Sequence, residues 1–86
     1  MGVQFRLIWS RKAEDQISKL DFETRDRIVN KLEKACKAPF QFIKKLEASP
    51  FHSLRVGKYR LILSIRTNAL IIFVVRVSHR KNIYQN

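Results

Sequence analysis

Two stretches in the last third of the chain hold side chains suited to phosphate-ester chemistry. The first is Gly57-Lys58-Tyr59-Arg60-Leu61-Ile62-Leu63, and the second is Ser78-His79-Arg80-Lys81-Asn82-Ile83-Tyr84. Between them lies an apolar run, Ala69 to Val77. An arginine on one strand, a His-Arg pair just past the next and a nearby tyrosine can converge on one phosphate. A guanidinium binds phosphate oxygens with two parallel N–H donors and stays charged at any working pH. An imidazole and a phenol can pass protons to and from a reacting oxygen. No carboxylate interrupts the set. All seven acidic residues lie between Glu14 and Glu47, whereas residues 48–86 carry seven Lys or Arg and no Asp or Glu.

The elements that position these groups must fit into 86 residues, the length of one domain spanning 1–86. The net charge is +11, which calls for an anionic partner such as nucleic acid or an acidic protein. Membrane attachment fits poorly. The N-terminus has no long apolar signal-peptide core, and Ala69–Val77 is far shorter than the roughly 20 residues of a spanning helix. The single cysteine, Cys36, excludes an internal disulfide and points to a reducing, cytoplasmic compartment. It falls on a helical apolar stripe and reads as buried filler.

Val3 to Trp9 alternates as a strand with Val3, Phe5, Leu7 and Trp9 facing the core. Ser10 caps a short helix over about 11–20, with Ala13, Ile17 and Leu20 on one stripe. Asp21 opens a second helix over 22–37, with Ile28, Val29, Leu32, Ala35 and Cys36 at the 3.6-residue period. Ala38-Pro39 ends it. Residues 40–50 fit one helical turn or a covering loop. His52–Val56 reads as a strand, Gly57 supplies a tight turn, and Tyr59–Arg66 alternates with Tyr59, Leu61, Leu63 and Ile65 on one face. Thr67-Asn68 turns the chain, with Asn68 tolerating the left-handed region. Ala69–Val77, apolar at both parities until Arg76, reads as a central strand covered on both sides. The expected fold is α+β, in the order β-α-α-β-β-β. An N-terminal helical hairpin packs on one face of a small, mainly antiparallel sheet. The other face is expected to carry Ile62, Ile72 and Val74 beside Arg60 and Arg66, a half-apolar, half-basic groove suited to a partner.

This pattern resembles the RelE/ParE toxin superfamily, and most of all the RelE-type ribosome-dependent mRNA endonucleases. The resemblance covers nearly the whole chain. It rests on the β-α-α opening, on Leu54-Arg55-Val56-Gly57-Lys58-Tyr59-Arg60-Leu61-Ile62 and on Val77-Ser78-His79-Arg80-Lys81-Asn82-Ile83-Tyr84. It implies a type II toxin with no cofactor or metal that cleaves mRNA in the ribosomal A site and leaves a 2′,3′-cyclic phosphate. It also implies a cytoplasmic toxin–antitoxin hetero-oligomer, in which an acidic, RelB-like antitoxin wraps the toxin.

Such cleavage needs three things: loss of the 2′-OH proton, stabilisation of charge on the phosphoryl oxygens, and protonation of the leaving 5′-oxygen. Arg60 and Arg80 match the arginines that family members place near the scissile phosphate. Tyr84 matches the family's C-terminal tyrosine, which takes part in the proton transfers, and His79 is a candidate acid or base partner. Arg55, Lys58, Lys44, Lys45, Arg66 and Lys81 are the candidate RNA contacts. The sequence departs from the pattern on the strand before the Gly57 turn. RelE-type enzymes often carry two lysines there, and this strand, His52-Ser53-Leu54-Arg55, has Arg55 alone, with Lys44 or Lys45 available from the preceding segment. The general base therefore stays open. Two other functions fit the same fold: a ParE-like inhibitor of DNA gyrase that does no chemistry, and a plain basic RNA-binding module. ParE-type members usually lack the full Arg/Arg/Tyr set, which this chain keeps.

Overall fold

The computed structural model describes residues 4–79. Strand β1 (Arg6–Trp9) is followed by helices α1 (Arg11–Ser18) and α2 (Phe22–Lys37), a single turn α3 (Pro39–Phe42), and strands β2 (Lys44–Lys45), β3 (His52–Val56), β4 (Tyr59–Arg66) and β5 (Ile71–His79). The sheet order is β1-β5-β4-β3-β2. Every pairing is antiparallel except β1 with β5, which is parallel. The α+β class and the helical hairpin on one face are as expected. Two small elements fall between Pro39 and Lys45: the single turn α3, one of the two readings for residues 40–50, starts one residue earlier at Pro39, and β2 adds an unexpected two-residue edge to β3.

The helix boundaries follow from their caps. Ser10 Oγ accepts the Ala13 N–H at 3.0 Å, and an Asp21 side-chain oxygen accepts the Thr24 N–H at 3.2 Å. Each satisfies a backbone donor that the first helical turn leaves unpaired. Proline fits the first position of α3, where its missing N–H costs nothing. Both long helices turn their apolar stripes inward. Ala13 and Ile17 of α1 and Ile28, Leu32, Ala35 and Cys36 of α2 meet Leu54, Val56, Leu61, Leu63, Ile72, Val74 and Val77 of the sheet. Burial pushes the Cys36 thiol pKa up, helped by the charge of Glu33. The thiol is therefore protonated and inert, as the sequence suggests.

Strand β5 departs from the expected pattern in a way that shapes the whole outer face. Ile62 pairs with Arg76 while Leu63 pairs with Val74, so Val75 is an extra residue, a β-bulge. The bulge shifts side-chain parity: Ile72 and Val74 face the helices before it, and Val77 does so after it. Ile72 and Val74, expected on the groove face, are therefore fully buried in the core. Strand β5 is also not covered on both sides by the described residues, for Phe73 and Arg76 on its other face are exposed. The bulge is held by α1. Ser10 Oγ donates to the Val75 carbonyl at 2.6 Å, and Gln16 Oε1 accepts the Val77 N–H at 2.8 Å. These bonds occupy backbone groups that an irregular ladder would otherwise leave unmade. In the β4–β5 turn the left-handed residue is Leu70 (φ 54°) rather than Asn68. Its carbonyl accepts the Arg6 N–H at 2.7 Å, which ties the turn to β1.

Candidate nucleic-acid interface

Residues directly opposite on neighbouring strands share a face of the sheet, so the ladders define two surfaces. The inner surface is the core. The outer surface runs from Lys44 to Ser53, Ile62 and Arg76 in one row, and from Arg55 to Arg60 and Ser78 in the next. No Asp or Glu stands on β2, β3, β4 or β5. Ile62 is only 7% exposed yet stands apart from the core cluster, because it lies in this outer face. The long stems of Arg60 and Arg76 flank it, a way for such side chains to cover apolar surface while their charged heads stay in water.

The pairing of Arg55 with Arg60 is the informative one. Like charges directly opposite on a sheet are destabilising. Among the described residues neither takes part in an ion pair; the pair found is Lys19 with Asp15, 3.2 Å apart and exposed on α1. Two uncompensated guanidinium groups, one exposed and one half-buried, thus stand side by side on a rigid hairpin. Gly57 (φ 58°) makes the tight turn that joins their strands, with the positive φ at the first central residue that suits a two-residue hairpin.

The candidate residues among those described fall into three groups. Arg55, Arg60 and Lys44 share the outer face, so Lys44 lies beside the strand that carries Arg55. Arg66 is on the same face, but at the far end of β4. At a rise of ~3.3 Å per residue it stands roughly 20 Å from Arg60, too far to share one phosphate. Lys58 is at the tip of the β3–β4 turn. Lys45 pairs with His52 and His79 with Tyr59, which puts both on the opposite, helix-covered side. The expected convergence of His79 with Arg60 on one face is therefore absent: Arg60 pairs with Ser78, one residue earlier. The His79 ring instead meets the Tyr59 ring edge-on, centroids 5.0 Å apart and planes at 88°. Arg80, Lys81 and Tyr84 lie outside the described residues.

Sequence reading missed Arg76. The expected strand gives Arg76 the parity of Ile72 and Val74, and so the groove face; Arg76 does lie there beside Ile62, while the bulge turns the two apolar residues inward. The available signal was the apolar spacing 72, 74, 77, which breaks the period of two. Among the described residues no cluster of three or more His, Cys, Asp or Glu is arranged to hold a metal ion. No described helix is long and apolar enough to cross a membrane.

The model of a family described as the ParE toxin of the type II toxin–antitoxin system parDE matches residues 7–84. The chain is 25% identical to a chain of the toxin–antitoxin complex RelBE2 from Mycobacterium tuberculosis, with a TM-score of 0.82 over 91% of this chain and 93% of that one. The archaeal RelE–RelB complex of Pyrococcus horikoshii gives 19% identity and a TM-score of 0.78 over 90% and 96% of the two chains. The chromosomal ParDE system of P. aeruginosa gives 13% identity and 0.73 over 88% and 96%. The last two likenesses bear on the fold alone. No curated protein matches the sequence.

Proposed function

The chain belongs to the ParE toxin family of type II toxin–antitoxin systems, within the RelE/ParE superfamily, and from that premise we propose that it is a metal-independent endoribonuclease that cleaves mRNA in the ribosomal A site. The observation that carries this reading is the unpaired Arg55–Arg60 couple on the outer sheet face, in a region free of carboxylates. A binding surface needs positive charge somewhere; it does not need two guanidinium groups facing each other at a cost. A phosphodiester between them would remove the repulsion and accept N–H donors from both. As the 2′-oxygen attacks the neighbouring phosphorus, negative charge grows on the phosphoryl oxygens, and donors already in place stabilise it without reorganising.

In this scheme Arg60 is the principal stabiliser and Arg55 and Lys44 orient the strand. From the family resemblance, Arg80 is assigned as a further guanidinium and Tyr84 to the proton transfers. The reaction balances without water. The 2′-oxygen loses its proton to a base, forms a bond to phosphorus, and the 5′-oxygen leaves and takes up a proton. His79 belongs to this scheme only as a group reached around the hairpin end, since its side chain lies on the other face. The cognate antitoxin, acidic and RelB-like, would cover the outer face and neutralise its charge, and the toxin would act on ribosomes in the cytoplasm.

A second reading is inhibition of DNA gyrase without chemistry, and the ParE description of the matching family favours it. Primer extension on mRNA held in programmed ribosomes, using protein treated with EDTA and then freed of it, beside a gyrase supercoiling assay, separates the two. Cuts inside the A-site codon, absent with Arg60→Ala, are expected. Intact mRNA together with blocked supercoiling would replace the nuclease reading with the gyrase one.

A further inference from the structure

Around the hairpin tip from the Arg55–Arg60 couple, on the helix-covered side, lies a cleft of about 520 Å³. That volume is within the ~300–1,000 Å³ range of ligand sites. Thr24 and Arg27 of α2 form one wall, the hairpin residues Val56, Gly57, Lys58 and Tyr59 form the other, and His79 closes the end. No Asp or Glu lines it. The neighbouring groove along α2, by contrast, mixes Glu23 and Asp26 with its cations. Asp21 stands next to the cleft but outside its lining, where it accepts the hydroxyl of the lining residue Thr24 at 2.6 Å and caps the helix.

Arg27 is the telling residue. It follows Glu23 by four positions, the spacing at which helix ion pairs form, yet among the described residues no such pair exists. Its guanidinium is directed at the hairpin instead, with Nη1 3.8 Å from where a Cβ on Gly57 would sit. Arg27 and Lys58, both exposed, thus face a common space from two elements. Tyr59 and Arg60 are consecutive on β4 and point to opposite sides, so a strand crossing the tip would meet the cleft and the outer face in turn.

We propose that this cleft is a second phosphate-binding subsite, which takes the sugar–phosphate backbone of an RNA strand passing over the hairpin tip, with Arg27 and Lys58 as its charged contacts. The assignment rests on the reading that the chain acts on RNA. Its role is to hold the strand beside Arg60 rather than to take part in bond making.

The test is fluorescence anisotropy with a short single-stranded RNA carrying 2′-O-methyl groups throughout, so that it binds without being cut, titrated across a range of salt. Arg27→Ala and Lys58→Ala should each weaken binding on the order of fivefold. Each should also reduce the slope of log affinity against log salt by about 0.7, one phosphate contact on a single strand. Lys34→Ala removes the same charge from the same helix outside the cleft, and should change affinity less and the slope hardly at all. Melting curves should show that the variants are folded, as expected for exposed positions. If Arg27→Ala matches Lys34→Ala while the parent protein binds, the subsite is overturned and the RNA reading stands. If the parent protein itself does not bind the RNA, the subsite is overturned, and the nuclease reading is decided separately by primer extension on programmed ribosomes.

Discussion

The two faces of one strand, β4, do opposite jobs. Leu61 and Leu63 point into the core and have no exposure, whereas Arg60 and Ile62 point outward among cations. Adjacent residues therefore belong to different energetic regimes. Inner positions are judged by packing, where every lost methylene is felt. Outer positions are judged by what they bind, and there the fold tolerates an unfavourable Arg55–Arg60 pairing. On the proposed reading, stability and function separate in this protein at a resolution of one residue. That claim can be attacked by substituting neighbours.

The largest effect is expected at Arg60. Arg60→Ala should lower the cleavage rate by about 10²–10³, the usual cost of removing one preorganised donor, with little change in melting temperature. Its neighbour should behave in reverse: Leu61→Ala should destabilise by roughly 2–5 kcal/mol, enough to threaten folding in a domain of this size. A milder Leu61→Val variant that remains folded should cleave at the parent rate. Primer extension and thermal melts on the same preparations check both.

The seam between the faces comes next. Ser10→Ala deletes the α1 cap and the bond to the bulged Val75 carbonyl together. A loss of about 1–2 kcal/mol is expected, and hydrogen exchange at β5 amides should rise around the bulge. Exchange confined to the start of α1 would mean that the hydroxyl caps the helix without holding the strand.

Smaller again is the acid response of the second cap. The Thr24 hydroxyl, followed by backbone N–H donors, holds the Asp21 carboxyl below its ordinary value. A depressed carboxylate adds stability above its unfolded-state pKa and loses it as pH falls through the folded value. Asp21→Asn should therefore show a flatter melting temperature between about pH 5 and 2 than the parent. An unchanged acid profile would place the acid sensitivity elsewhere. The smallest signal is a null one: Cys36 should resist thiol reagents in the folded protein and react once it is unfolded, because burial keeps it protonated.

Much of the molecule was legible in the sequence because its signals are local. Ser10 and Asp21 announce the helix starts, Pro39 announces a stop, and the alternation through Tyr59–Arg66 gives β4 its true bounds. Gly57 reveals the turn because positive φ suits glycine. What escaped depends on distant partners. The bulge at Val75 is set by hydrogen bonds from Ser10 and Gln16, sixty-odd positions away, and it reverses the parity of everything after it. That single shift is what misplaced Ile72 and Val74, while Arg76 keeps its place opposite Ile62. The two-residue strand β2 has no period of its own to read and exists by pairing with β3. Arg55, Arg60 and Lys44 could be nominated by residue type, but their shared face is a property of the ladder, and so is the separation of His79 from them.

The central claim is that the outer face of the sheet carries the chemistry. It is tested most directly by the single-turnover rate at which folded Arg60→Ala protein cuts mRNA in programmed ribosomes, measured beside the parent. A loss of two or more orders of magnitude at an unchanged melting temperature is the predicted result. Equal rates from the two proteins would contradict it and move the reaction away from this face.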